Sequence, residues 1–312
     1  MAPLIRHALV LTAGLGTRLR PLTLVRAKPA IPLAGEPLIR RIVHQLAASG
    51  VTELVANLHY RPETLAAVLG DGSDLAAHVR YSWEYPHLLG SAGGPRLAAP
   101  IVGAATFFIV NGDTLTDLDL AALGAAHGAS NAAVTMALVP NLRPDHYGGV
   151  RLDGDGAVTG FAARGPSARG TFHFIGVQAV SADAFQSVQK GAAANSIGEV
   201  YDRLIAQRPG CIRGYLSDAA FWDIGTVTDY WRTSAVFAQS DPTQLGRGRS
   251  VQISPGAALT RSIVWDDVVV DEGSTIDECI VTDGVHVAAG SSYRRSILHA
   301  APTGVLATPF EP

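Results

Sequence analysis

Two cysteines in 312 residues, Cys211 and Cys279, are too few for a disulfide framework or a clustered thiolate metal site. The histidines show no H-x-x-x-H or other metal-type spacing. Charge is scarce as well. Only 16% of residues are Asp, Glu, Lys or Arg, against roughly 25% in ordinary soluble domains. The net charge is −3 and no basic run occurs, which argues against a protein that depends on nucleic-acid phosphate contacts. No stretch approaches the roughly 18 apolar residues of a membrane span, and the N-terminus lacks the pattern of a secretion signal. A cytoplasmic chain with no nucleic-acid or membrane partner is expected. Its length suits one large domain and a smaller one, with 47% hydrophobic residues to fill the cores.

The densest chemistry lies between Leu9 and Pro32, LVLTAGLGTRLRPLTLVRAKPAIP. An apolar run breaks into a glycine turn, followed by Thr17, Arg18 and Arg20, and the stretch closes on Lys28-Pro29. A strand leading into a glycine-rich turn at a helix start exposes backbone N–H groups that can bind phosphate oxygens. An arginine fork and a lysine point charge within the next turns would offset the charge of a polyphosphate. Leu19 stands where the third glycine of a Rossmann dinucleotide fingerprint belongs, and the G-K-[ST] of a Walker A loop is missing. The alternative for the turn is a structural strand-to-helix connection.

Strands are expected at His7 to Leu11, Glu53 to Leu58, Val79 to Trp83, Thr106 to Val110, Val134 to Val139, Gly149 to Leu152 and His173 to Val180. Helices are expected at Pro37 to Ser49, Pro62 to Leu69 and Val200 to Gln207. Strands alternating with helices predict an α/β fold with a parallel sheet, whose ligand sits beyond the carboxyl ends of the strands. Gly14 and Asp113 each follow a strand directly. Residues 241–250 (DPTQLGRGRS) read as a linker, which divides the chain into a larger domain over 1–240 and a tail over 251–312. In the tail Gly256, Gly273 and Gly290 recur every 17 residues, as do the apolar triplets from Val251, Val268 and Val285 and those at Ser262, Cys279 and Ser296. That recurrence suggests a solenoid of stacked coils, with a β-meander as the alternative.

The string GLGTRLRPLT followed by AKP resembles the signature of the sugar-1-phosphate nucleotidyltransferases, the nucleotide-sugar pyrophosphorylases. The resemblance covers about residues 7 to 235. It implies a Rossmann-like, mainly parallel sheet flanked by helices, and the tail resembles the short left-handed β-helix of hexapeptide type that follows the catalytic domain in several members. The implied reaction joins a nucleoside triphosphate to a sugar-1-phosphate and releases pyrophosphate, with Mg²⁺ as cofactor. By the same resemblance Ala13, Gly14, Gly16, Thr17, Arg18, Asn111 and Gly112 bind nucleotide, with Arg18 on the β- and γ-phosphates. Lys28 takes the α-phosphate region or the sugar phosphate. Asp113, in VNGDTLTD, and Asp223, in FWDIGTVTDY, are the implied metal ligands.

The segment WEYPHLLGSAGG, Trp83 to Gly94, resembles the family's base-recognition loop, with Glu84, Gly90 and Ser91 as its contacts. The distance from Glu84 to Gly90 is one residue longer than in the family pattern. A surface loop is the alternative. Tyr147-Gly148 resembles the pair beside the sugar, and a turn glycine is the alternative for Gly148. Where relatives carry E-K-P this chain reads GFAARGPSARG, leaving Arg164 as the candidate replacement for the sugar-phosphate lysine. Arg20, Arg26, Arg40 and Arg41 read as solvated or structural, and Asp117 and Asp119 as caps or surface residues.

PHLLGSAGG and the tail lean toward guanylyl transfer to mannose-1-phosphate or a related sugar. VNGDTLTDLDL and NLHYRPETLAAVLGDGS equally resemble uridylyltransferases of amino-sugar-1-phosphates. Three further classes are weighed. An acyltransferase would need a catalytic histidine in the tail, and a regulatory subunit binding nucleotide sugar would not need Arg18, Lys28, Asp113 and Asp223 together. A dehydrogenase would need the third glycine. The tail is a candidate surface for homo-oligomer formation.

Overall fold

The computed structural model describes residues 5–238, 244–302 and 304–312. The chain forms two compact units. One comprises the chain up to Gly14 with Ile42–Tyr60 and Leu69–Phe221; the other comprises Leu15–Arg41, Arg61–Val68 and the described residues from Trp222 onward. These units cut across the expected division at residues 240 and 250, because the stretch after Gly14 makes its side-chain contacts with tail residues such as Asp266 and Asp283.

The first unit is built on one mixed sheet. Its strands are β1 (His7–Leu11), β2 (Glu53–Leu58), β3 (His78–Trp83), β4 (Thr106–Asn111), β6 (Val134–Pro140), β7 (Gly149–Leu152), β8 (Val158–Ala162), β9 (Phe172–Ser181) and β10 (Ile212–Leu216); the short β5 (Thr114–Thr116) lies outside it. The order along the main path is β8-β7-β9-β4-β1-β2-β3, and β6 joins β9 to β10. Strands β4, β1, β2 and β3 run parallel, whereas β9 pairs antiparallel with β4, β6 and β7. The parallel strands are near-continuous apolar runs because helices cover them, as with Ala8, Leu9 and Val10 and with Phe107, Phe108 and Ile109, none more than 2% exposed.

The helix α1 (Leu38–Ala48) buries Leu38, Ile39, Ile42, Val43 and Leu46, an apolar stripe at helical spacing. It is followed by α2 (Pro62–Leu69), α3 (Gly90–Val102), α4 (Leu120–Gly128) and α5 (Tyr201–Gln207). Asp119 caps α4 by accepting the Ala122 N–H at 2.9 Å. α3 departs most from expectation, since its first residues resemble a loop and it contains Pro95 and Pro100. Packing overrides propensity here: Ala92, Gly93, Gly94, Pro95 and Ala98 are all buried.

In the second unit the described tail residues form three parallel sheets, one for each face of a β-helix. Ile253, Val270 and Val287 stack in one column and Ile263, Ile280 and Ile297 in another, each separated by one 17-residue coil. Backbone with positive φ recurs at the same interval at three corners: Ser250, Asp267 and Gly284; Gly256, Gly273 and Gly290; Arg261, Glu278 and Arg295. Within the stretch expected as a linker, Gln244–Arg247 is a strand paired with Ser262–Val264, so a first rung of the helix begins there; 241–243 lie outside the described residues. The last coil ends in a hairpin, Ser296–Ala301 with Gly304–Pro309. The helix α6 (Val227–Phe237) precedes the coils, capped by Thr226, which accepts the Asp229 N–H at 3.1 Å.

Candidate functional site

At the carboxyl edge of the parallel strands in the first unit, register decides what is brought together. Leu11 pairs with Asn111, and the Gly112 N–H donates to the Leu11 carbonyl at 3.0 Å. Thr12, Ala13 and Gly14 therefore leave the sheet beside Gly112 and Asp113. Ala13 and Gly112 are buried, Asn111 and Asp113 half-buried, and Gly14 exposed. The Thr114 hydroxyl donates to Asp113 Oδ1 at 3.3 Å.

The same edge carries a buried hydrogen-bond chain. The Thr12 N–H donates to Asn57 Oδ1 at 2.6 Å, Asn57 Nδ2 donates to Glu84 Oε1 at 2.6 Å, and the Leu89 N–H donates to Glu84 Oε2 at 2.7 Å. Glu84 is 2% exposed and both carboxylate oxygens hold protein groups. In this arrangement the carboxylate organises the segment leading into α3. It fits because residue 94 is glycine: a Cβ there would lie 2.3 Å from Glu84 Oε1. Gly90 and Ser91 open α3, where the Ser91 hydroxyl accepts the Ser196 N–H at 2.9 Å and meets the Ser196 hydroxyl at 3.0 Å.

Farther along, Gly148 is exposed after Tyr147, whose ring stacks on His173 with centroids 4.0 Å apart and also meets Phe221. Burial pushes the His173 imidazole down to about 4 against a backbone hydrogen bond at Gly148, so it is neutral at pH 7. Arg164 is exposed in the turn before Gly165.

The second unit holds Arg18 and Lys28. Gly16, with φ of +59°, leads into the turn Thr17–Leu19, then the short helix Leu22–Val25 and the turn Lys28–Ala30. The Thr23 hydroxyl donates to the Gly16 carbonyl at 3.0 Å and the Ala27 N–H donates to the Thr64 hydroxyl at 3.0 Å, fixing the loop at two points. Thr17 and Arg18 are exposed, and Lys28 is 9% exposed. Asp223 ends the strand Phe221–Asp223, and Gly225 lies beside three charged ends: a Cβ there would be 3.4 Å from Arg18 Nη1, 3.4 Å from Asp223 Oδ2 and 3.3 Å from Asp229 Oδ2.

Among the described residues no group of three or more His, Cys, Asp or Glu gathers as a metal site. Asp113, in the first unit, and Asp223, in the second, each offer hard carboxylate oxygens, the donor type that Mg²⁺ accepts. Sequence reasoning missed Thr12, Asn57, Gly94, Gly225 and Thr64. Asn57 carried a signal, as the one polar side chain in the apolar run Leu54 to Leu58, and Gly225 lies within the FWDIGT string; Thr12, Thr64 and Gly94 act through partners ten or more residues away.

A family model described as nucleotidyl transferase matches residues 7–240. The chain is 32% identical to a mannose-1-phosphate guanylyltransferase of Mycobacterium tuberculosis over 92% of its own length and 83% of that protein. It is also 32% identical to an N-acetylmuramate α-1-phosphate uridylyltransferase of Neisseria meningitidis, over 70% of this chain and 93% of that one. Among solved structures, HddC from Yersinia pseudotuberculosis shares the fold, with a TM-score of 0.63 at 22% identity, covering 74% of this chain and 98% of its own. No described helix is long and apolar enough to cross a membrane.

Proposed function

The chain belongs to the nucleotidyl transferase family, and from that premise we propose that it is a Mg²⁺-dependent sugar-1-phosphate nucleotidyltransferase using GTP and mannose-1-phosphate. The observation that carries the choice of base and sugar is coverage. The likeness to the guanylyltransferase runs through the tail, over 92% of the chain, whereas the likeness to the uridylyltransferase spans only 70%. The uridylyl reading is the second one, favoured by an identity of 32% within its own shorter match.

In this reading an oxygen of the sugar phosphate attacks the α-phosphorus of GTP. The new P–O bond forms as the bond to the bridging oxygen of the β-phosphate breaks, and pyrophosphate leaves with that electron pair. No general base is required, because a phosphate monoester with a second pKa near 6 is already mostly dianionic at pH 7. The work of the protein is to position two anions and offset their repulsion. Arg18 grips the β- and γ-phosphates, Lys28 neutralises charge at the α-phosphate, and the backbone from Ala13 to Thr17 follows the phosphate chain, with Asn111 and Gly112 beside it. The Glu84 network holds Gly90 and Ser91 as the wall against which the base is read. Gly148 leaves room for the sugar and Arg164 meets its phosphate. Asp113 and Asp223 would hold Mg²⁺, which when bound supplies charge screening to the phosphates.

The test is pyrophosphate release over GTP, UTP, dTTP, ATP and CTP against mannose-, glucose- and N-acetylhexosamine-1-phosphates and N-acetylmuramate-1-phosphate. The highest kcat/KM is expected for GTP with mannose-1-phosphate. A maximum at UTP with an amino-sugar phosphate would replace this reading with the second.

A further inference from the structure

Arg26 stands two residues before Lys28, and its guanidinium makes three hydrogen bonds to two carboxylates. Its Nε donates to Asp283 Oδ2 at 2.6 Å, and Nη2 donates to Asp283 Oδ1 at 2.7 Å and to Asp266 Oδ2 at 2.8 Å. Asp266 and Asp283 are 17 residues apart, equivalent positions on successive coils, so one guanidinium spans two rungs. The pair is locked from its own side as well: Asp266 N–H donates to Asp283 Oδ1 at 3.1 Å and Arg249 N–H to Asp266 Oδ1 at 2.7 Å. The Arg26 guanidinium also lies 5.6 Å from the centre of the Trp265 ring.

A second tie reaches the loop on the other side of Lys28. The Trp265 indole N–H donates to the Tyr230 hydroxyl at 3.0 Å, and that hydroxyl donates to the Pro32 carbonyl at 2.6 Å. Trp265 and Tyr230 are fully buried. The turn Lys28–Ala30 is thus fastened at Arg26 before it and at Pro32 after it, and both fastenings end on the Trp265-Asp266 corner of the same coil.

Stability alone is a weak reason for this arrangement. The side chains of Arg26 and Asp266 are only 12% and 13% exposed, and buried ion pairs return little net stability once desolvation is counted. What a planar fork on two carboxylates supplies is direction, since it holds one orientation that a lysine ammonium would not.

We propose that the β-helical tail is a positioning element for catalysis, with Arg26, Asp266, Asp283, Trp265 and Tyr230 clamping the Lys28 turn onto the nucleotide phosphates. This rests on the phosphate-binding role given to Lys28 under Proposed function. The clamp residues act through Lys28 and are positioning residues.

The test compares wild type with R26K, D283N and Y230F, and with R295Q, which removes an exposed tail contact to Glu278 that takes no part in the clamp. Loss of alignment is expected to raise KM for GTP and lower kcat, so that kcat/KM for GTP falls about 10- to 100-fold while KM for the sugar phosphate stays unchanged. R295Q is expected to match wild type. A lowered melting temperature with both KM values unchanged in all three clamp variants would mean that the contacts only stabilise, and would overturn the clamp. Calorimetric binding of GTP decides the matter without turnover: affinity weakened about tenfold or more in R26K and D283N supports the clamp, and equal affinity contradicts it. A wild type that turned over no substrate pair would sink the functional reading while leaving this binding comparison to judge the clamp.

Discussion

Asp113 stands half-buried at the end of β4, next to the tight Gly112 contact with β1, so a change of its charge can be made without a change of packing. Asp113→Asn is expected to lower kcat at least about 100-fold with an unaltered melting temperature, read by pyrophosphate release and circular dichroism. Near-normal turnover would remove Asp113 from the metal set. His173 makes a second residue-scale prediction. Its folded value is held at about 4 by burial, below the ordinary 6.5, so the unfolded chain takes up the proton first as pH falls. The contribution is fully present above pH 6.5 and is lost progressively from there toward pH 4. Urea midpoints measured between pH 7.5 and 4.5 should fall less steeply in His173→Phe than in wild type. Candidate residues whose chemistry is local, such as Arg18, Lys28 and Asp113, were legible as a string. The hydrogen-bond chain from Thr12 through Asn57 to Glu84 was not, because it joins positions 45 and 27 residues apart that only strand register brings together.

The strands and amphipathic helices are legible because burial writes a period into them: β1, β2 and α2 fall on their expected bounds and α1 within a residue of them. α3 is not, since its Gly93, Gly94, Pro95 and Pro100 are poor helix formers and its justification is tertiary, in the closeness of Gly94 to Glu84 and Asn57. Adding a methyl group there is the element-scale test. Gly94→Ala is expected to lower stability by about 1 to 3 kcal/mol, measured by denaturant unfolding, by driving the Glu84 carboxylate off Asn57 and Leu89. Glu84→Gln is expected to be milder, since an amide oxygen can still accept one of the two bonds.

For the molecule as a whole, the 17-residue repeat announced the coils, but not that a first rung starts at Gln244 or that the signature loop groups with the tail. Those facts depend on where Arg26 and Pro32 find partners, and no periodicity encodes that. Truncation after residue 243 is therefore expected to abolish GTP binding as well as lower the melting temperature, whereas a tail that only stabilised would leave GTP affinity intact in the folded fraction. The most direct test of the central claim is pyrophosphate release by the full chain from GTP and mannose-1-phosphate, followed with Mg²⁺, after chelation and after Mg²⁺ is restored. One pyrophosphate for each GDP-mannose, lost on chelation and regained with Mg²⁺, is the predicted result. Absence of pyrophosphate with this and every other nucleotide and sugar-phosphate pair would contradict the account.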